Sequence, residues 1–297
     1  MKKVLLFFTA LFLVEVVANA QSIKTFEVLN PRVEQGGVLI VRTAPQGVLP
    51  ATSHPVISFY GVRYKLNKYG EVFIGVNTDI RPQKYIVTFI ENNAKSSWDY
   101  QEIEVIKKEF PTRNRAPFTP TRKWQQERDI IRQAFSRGDY SEKYFDGEFI
   151  RPLDRIVIDA GRIVGDPSSP FGEGHAGVDL ITLDRKTRKH ERPVKAINSG
   201  KVALIAKNFA TEGNMVILDH GSGIFSVYMH LAKFSVKKVG DNVKGGDVIG
   251  ISGRSGSAAS GGPHLHFAVK IRDSDGTNDI YVDPLAFIET MNQHPIP

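Results

Sequence analysis

The chain has 297 residues, 41% of them hydrophobic, no cysteine and a net charge of +7. That length can support two domains with cores of their own, and the hydrophobic fraction excludes wholesale disorder. The missing cysteines exclude disulfides, thiolate metal ligands, a cysteine nucleophile and a lipidated cysteine. The positive charge points to anionic envelope polymers or membrane surfaces. Nucleic acid is the weaker reading, because no basic helix or aromatic-rich binding strand is present.

Residues 1–20 read as a secretory signal peptide. Lys2 and Lys3 precede the apolar run Val4 to Leu13, and Ala18-Asn19-Ala20 forms a small-x-small cleavage site. The run is too short to span a bilayer comfortably and is followed by Glu15. The mature chain is therefore expected to begin near Gln21, in the periplasm or outside the cell, with no membrane anchor. Losing Lys2, Lys3 and Glu15 takes the net charge from +7 to +6.

Residues 21–107 read as a small all-β domain. Val38 to Thr43, Val56 to Tyr60, Val72 to Val76 and Tyr85 to Glu91 are β-branched and aromatic runs. Gly36-Gly37, Asn67-Lys68-Tyr69-Gly70 and Arg81-Pro82 separate them, which predicts an immunoglobulin-like sandwich. His54 beside Pro55 reads as a surface or packing residue. Residues 108–146 follow as a basic, proline-rich linker with Pro111, Pro117 and Pro120, then a helix. Trp124, Ile130, Ile131, Ala134 and Phe135 form the helix's apolar face, and Gly138 ends it.

From residue 147 to 292 the pattern changes to glycine-punctuated strands. These are Val194 to Ile197, Lys201 to Ala206, Met215 to Asp219, Phe225 to Met229, Val248 to Ile251 and His264 to Ile271. Many short strands and few helices predict a curved or barrel-like antiparallel sheet. Asp283-Pro284 then opens a short last helix, with aspartate as cap and proline in the first turn.

Two histidine motifs stand out in this second half: His175-Ala176-Gly177-Val178-Asp179 and Pro263-His264-Leu265-His266-Phe267. If both are strands, alternation puts His175 with Asp179 on one face and His264 with His266 on another. Gly177 leaves room between the first pair. Two such strands side by side can offer two imidazoles and a carboxylate to one metal, with a further polar group beside it. Three N/O ligands and an open position is the arrangement of a catalytic zinc. Gly172-Glu173-Gly174-His175-Ala176-Gly177 also matches the dinucleotide fingerprint G-x-G-x-x-G. A strand-like run follows it where that fingerprint needs a helix, so a nucleotide site is rejected.

The region 147–286 resembles the lysostaphin/LytM-type zinc endopeptidases, which cleave peptide cross-links in bacterial cell walls. The matching residues, in order, begin with Phe149, Pro152, His175-x-Gly177-x-Asp179, Pro193-Val194-x-Ala196 and Ser199-Gly200-x-Val202. They continue with His220-Gly221, Tyr228-x-His230-Leu231, Gly253-x-Ser255-Gly256, Gly262 to Phe267 and Val282-Asp283-Pro284-Leu285. The resemblance implies that His175, Asp179 and His266 bind Zn2+. It implies that His230 and His264 are the catalytic groups beside the metal, one handling a proton and the other stabilising the oxyanion, in an order left open. It implies no metal role for His220, which is expected to hold a strand end.

Two departures accompany the resemblance. Ile158-Asp159-Ala160-Gly161-Arg162 stands where members often carry Phe-Gly-x-Arg. The basic loop 184–192 is longer than usual and reads as a solvated insertion. The expected protein is an exported zinc metalloendopeptidase acting on peptidoglycan stem peptides or cross-links, with its N-terminal domain positioning the enzyme or limiting access to its groove. The alternative is a non-catalytic envelope protein that binds or activates other peptidoglycan hydrolases.

Overall fold

The computed structural model describes residues 25–44, 55–90, 99–112, 119–161, 174–184, 186–187, 189–276 and 279–296. The expected signal peptide, His54, the middle of the linker, Arg162, Gly172-Glu173, and Arg185 and Arg188 of the basic loop lie outside them.

The N-terminal part contains β1 (Phe26–Val28), β2 (Arg32–Glu34), β3 (Val38–Thr43), β4 (Val56–Phe59), β5 (Val62–Lys65), β6 (Glu71–Gly75), β7 (Lys84–Ile90) and β8 (Asp99–Ile106). They form a three-stranded sheet in the order β1-β3-β6 and a five-stranded sheet in the order β2-β8-β7-β4-β5. All pairs are antiparallel except β2 with β8. The sequences of β3 and β6, Val-Leu-Ile-Val and Glu-Val-Phe-Ile-Gly, do not alternate because both faces of this sheet are covered. Leu39, Val41, Val72 and Ile74 face a core shared with Ile57, Val87, Phe89, Ile103 and Val105 of the second sheet. Val38, Ile40 and Phe73 face the opposite way, into the core of the C-terminal region.

Helix α1 (Arg122–Ser136) is capped by Thr121, whose side chain accepts the Trp124 N–H. Ile131, Ala134 and Phe135 are buried, and the Phe135 ring meets Phe225 edge-on at 5.1 Å. Ile130, expected on this face, is 43% exposed. The buried stripe is centred on Glu127, Arg128, Ile131, Ala134 and Phe135, and Ile130 lies about 100° round the helix from Ile131. Gly138 sits just past the helix end, and a Cβ there would run into the Phe225 ring.

The C-terminal region contains β9 (Ile158–Ala160), β10 (Val178–Ile181), β11 (Pro193–Lys195), β12 (Gly200–Phe209), β13 (Gly213–Asp219), β14 (Ile224–Met229), β15 (Leu231–Phe234), β16 (Asn242–Val243), β17 (Val248–Ser252), α2 (Ala258–Gly261), β18 (His264–Arg272), β19 (Asp279–Val282) and α3 (Pro284–Gln293). The large sheet is an open antiparallel one in the order β16-β12-β13-β14-β18-β10-β9, with β19 also on β18; a small sheet, β11-β17-β15, accompanies it. The chain is thus mostly β. Strand β18 is the hub. It pairs with β14 along one edge, and along the other with β10 over its first half and β19 over its second. Helix α3 starts as expected, with Asp283 accepting the N–H groups of Leu285 and Ala286.

His220 follows β13 and is fully buried. Its Nδ1–H donates to Ser199 O at 2.7 Å, which leaves Nε2 to accept the Ser226 hydroxyl at 2.7 Å. The Tyr228 hydroxyl lies 3.0 Å from Ser226 Oγ and accepts the Ile197 N–H. Burial pushes His220 down to about 4 from 6.5, so the folded state favours the neutral ring. The unfolded chain takes up a proton first as pH falls. The stability contributed by the neutral ring is therefore present above pH 6.5 and is lost toward pH 4. Neighbouring Asp219, pushed up to about 6 by burial, titrates with the opposite sign. Comparison with His220→Gln isolates the ring, because the Asp219 contribution is common to both proteins. Denaturant titrations at pH 7 and pH 4 are expected to show the stability gap between wild type and variant shrinking by about 3 kcal/mol. A gap that stays constant would mean that the buried ring titrates like a free one.

Candidate metal centre and its flanking histidines

The first half of β18 and its neighbour β10 bring the two histidine motifs together. Asp179 pairs directly with His266, and Ile181 with His264. Directly opposed residues share a face, so the carboxylate and the His266 ring meet across the ladder. His175 meets Asp179 on one face, as the alternation expects. It lies three residues before β10, at a bridge position, and its ring reaches Asp179 from there. Gly177 is required at this approach. A Cβ there would stand 3.0 Å from His266 Nε2 and 2.9 Å from the Ala268 Cβ.

Three atoms converge. His175 Nε2 lies 3.0 Å from Asp179 Oδ1 and 3.0 Å from His266 Nδ1, and His266 Nδ1 lies 2.9 Å from Asp179 Oδ1. Among the described residues, these three side chains form the group able to hold a metal ion. The chemistry of the donors fits one. His175 Nδ1 is 2.7 Å from the Gly161 carbonyl and must carry the proton, so Nε2 presents a lone pair to the cluster. Lone pairs from one imidazole, a second imidazole and a carboxylate, about 3 Å apart, repel one another unless a cation or a proton lies among them. Tetrahedral zinc with bonds of about 2.0–2.1 Å spaces its ligand atoms about 3.3 Å apart, close to what is seen.

The electrostatics agree with this arrangement. Burial opposes ionisation of Asp179, but the His175 and His266 rings beside it outweigh burial and hold the carboxyl far below the usual range, so it stays an anionic donor. Burial lowers His266 and so favours the neutral, ligating form.

His264 and His230 flank the cluster. Nδ1 of His264 donates to Gly262 O at 3.0 Å, and its Nε2 lies 3.6 Å from Asp179 Oδ1. Nδ1 of His230 donates to Ser255 O at 2.9 Å. The His230 ring is 4.7 Å from that of His264 and 6.2 Å from that of His266, centroid to centroid. Both flanking rings therefore keep Nε2 free to accept a proton. Burial, then the adjacent His266 and His264, push His230 down to about 3, so it is neutral at ordinary pH. Its backbone is left-handed, with φ +64°, at the point where the chain leaves β14 for the small sheet. Such a conformation costs a non-glycine residue on the order of 1–3 kcal/mol and persists where the surroundings over-determine it.

Beside the cluster, β10 runs on into the wall of a cavity of about 800 Å³ lined by Ile181, Thr182, Leu183, Lys186 and Arg192. The groups that fix the ring tautomers are the carbonyls of Gly161, Gly262 and Ser255. Backbone oxygens leave no side-chain signal in a sequence, so none could be assigned that role from the residues alone.

The β domain brings two imidazoles and one carboxylate to a point, with two more histidines alongside, the donor set of a catalytic metal centre. Residues 173–284 match the model of peptidase family M23, and this chain carries an M23 peptidase domain. Lysostaphin of Staphylococcus simulans is 39% identical over 120 residues, which are 40% of this chain and 22% of lysostaphin. The peptidoglycan DD-endopeptidase ShyA of Vibrio cholerae is 39% identical over 80 residues, which are 27% of this chain and 18% of ShyA. The chain thus spans about a fifth of the length of these curated relatives. A crystal structure of an M23 peptidase from Pseudomonas aeruginosa superposes with a TM-score of 0.56 at 25% identity. It covers 86% of this chain and 93% of its own, so the likeness extends well beyond the M23 region.

Proposed function

We propose that this protein is an exported zinc endopeptidase that hydrolyses peptide bonds in the stem peptides or cross-links of peptidoglycan, in the periplasm or outside the cell. The observation that carries the reading is the convergence of His175 Nε2, Asp179 Oδ1 and His266 Nδ1 within 3.0 Å of one another. Those residues would hold the zinc. When bound, the ion supplies Lewis-acid polarisation of the scissile carbonyl and lowers the pKa of a water molecule. His264 and His230, each with Nδ1 held by a backbone carbonyl and Nε2 free, are placed to take a proton from the attacking water and return it to the leaving amine. Once protonated, either can donate to the developing oxyanion. The cavity beside β10 offers room for substrate residues to one side of the reacting bond. Among the described residues no helix is long and apolar enough to cross a membrane. The net positive charge favours approach to an anionic wall polymer.

The relatives support this substrate class, since they include a lysostaphin and a peptidoglycan DD-endopeptidase. A non-catalytic binder or activator of other wall hydrolases has no need of three ligands and two flanking histidines together, and all five are present. The test is to quantify metal in the purified protein and assay soluble peptides released from purified peptidoglycan. About one zinc per chain with peptide release is expected, and mass spectrometry of the fragments names the bond. Bound zinc with no release from any wall type would favour the binding role.

A further inference from the structure

Helix α1 reaches the metal site's neighbourhood through the tip of one hairpin, residues 210–212 between β12 and β13. Two of its side chains hold that tip, and a third holds the end of β12 beside it. Lys123 Nζ donates to Asn208 O at 3.4 Å, Glu127 Oε2 accepts the Ala210 N–H at 2.9 Å, and Arg128 forms an ion pair with Glu212. Glu212 is fully buried.

The far side of the same tip meets His230. Glu212 O accepts the His230 N–H at 3.0 Å. Thr211 O accepts both the N–H and the hydroxyl of Ser257 at 3.0 Å, which ties the tip to the segment that begins at Ser255. Gly213 lies so close to Ser255 and Gly256 that a Cβ would overlap their backbone. Ser255 O is the acceptor of His230 Nδ1–H. Both hydrogen bonds of His230 thus end on the tip or on a segment the tip holds, and they fix a residue whose left-handed backbone needs outside support.

We propose that Arg128 and Glu212 are positioning residues for His230, so that α1 belongs to the catalytic scaffold rather than serving as a spacer. This rests on the reading of His230 as a flank of the reacting centre. The contacts form one chain: helix, buried ion pair, hairpin tip, then backbone and ring of His230. A charge pair is suited to the task because two buried charges find each other in one register only, whereas an apolar contact tolerates sliding.

The test uses the zinc-loaded full chain and the double variant Arg128→Met/Glu212→Leu, which removes both charges together and leaves neither uncompensated. Arg132→Ala, on the exposed side of α1, is the control. Bound zinc, long-range proton–nitrogen spectra of the imidazoles, and peptide release from purified peptidoglycan are read together. Zinc content and the His175 and His266 signals are expected to be unchanged. The His230 signals are expected to shift and broaden, and release to fall between about 10- and 100-fold, the scale of a misplaced catalytic group. If the double variant does not fold, Arg128→Lys keeps the charge, loses the planar fork and should shift the His230 signals in the same way, by less. A folded, zinc-loaded variant with the wild-type His230 signals would overturn the proposal. A wild type that releases nothing from any wall substrate would overturn the peptidase reading instead, and the His230 signals would still decide the positioning.

Discussion

Replacing His266 with alanine is expected to abolish metal binding, and with it hydrolysis, while leaving the fold in place. His266 supplies one of three converging donor atoms, and Asp179 faces it directly across the β10–β18 ladder. Without the ring, His175 and Asp179 remain as a two-ligand remnant. Even a change in the shell outside the ligands costs about 10- to 100-fold in affinity, so losing a ligand costs more. A bound metal would also stabilise the fold by mass action, by about 2.7 kcal/mol when free zinc stands at 100 times its dissociation constant. Chelation should therefore lower the wild-type melting temperature by about 5–10 °C for a chain of this size. The His266→Ala variant should melt at one temperature with or without chelator. Zinc analysis and calorimetry on the two proteins check this. A variant that keeps one zinc per chain would remove His266 from the ligand set.

What the residues disclosed and what they withheld follow a physical division. The runs Val38 to Thr43, Met215 to Asp219 and His264 to Ile271 are long, apolar and β-branched, and each falls on a strand. Strand β8 was not legible as such. Its outer positions are Tyr100, Glu102 and Glu104, and only Ile103 and Val105 mark the buried face, which the polar Asp99 and Gln101 share. Strands β1 and β2, three residues each, carry too few positions for a period to show. At the site, the order of the motifs led to five histidine and aspartate side chains that the fold gathers into one place. The Arg128–Glu212 pair had no such signal. Its members are 84 positions apart, and each reads alone as an ordinary surface charge. Contacts of that kind are set by packing between elements and leave no local pattern.

The second large effect concerns the joint between the two halves of the chain. Phe73 is 2% exposed and meets Phe145 edge-on at 5.6 Å, inside the core of the C-terminal region. Polar contacts seal the same joint. Asn67 donates to Ser222 at 2.9 Å, Lys143 pairs with Glu71 at 2.9 Å with both side chains nearly buried, and Asp283 N–H donates to Gly36 O at 2.7 Å. Gly75 lies against Ile280 and Ile271, so the N-terminal sheet meets β18 near its Ile271 end. That is seven residues, or about 23 Å, from His264. The described N-terminal residues thus brace the hub strand at the end away from His264.

A shared core predicts shared unfolding. The intact chain should melt in one calorimetric transition, with van't Hoff and calorimetric enthalpies in agreement. Phe73→Ala should lower the stability of that single transition by about 3–5 kcal/mol, the usual cost of emptying a buried phenylalanine site. Peptide release per folded molecule should stay near wild type, because the substitution acts at the far end of β18. Two resolved transitions, with only the first moved by Phe73→Ala, would show instead that the halves fold independently and that the joint is an ordinary docking contact. The same argument governs truncation. Removing the N-terminal sheets would uncover the apolar ring of Phe145 and the side chains of Ile271 and Ile280, so activity lost on truncation would report an unsupported β18 as readily as a missing targeting domain. Phe73→Ala separates the two causes, since it weakens the brace and leaves the N-terminal surface in place.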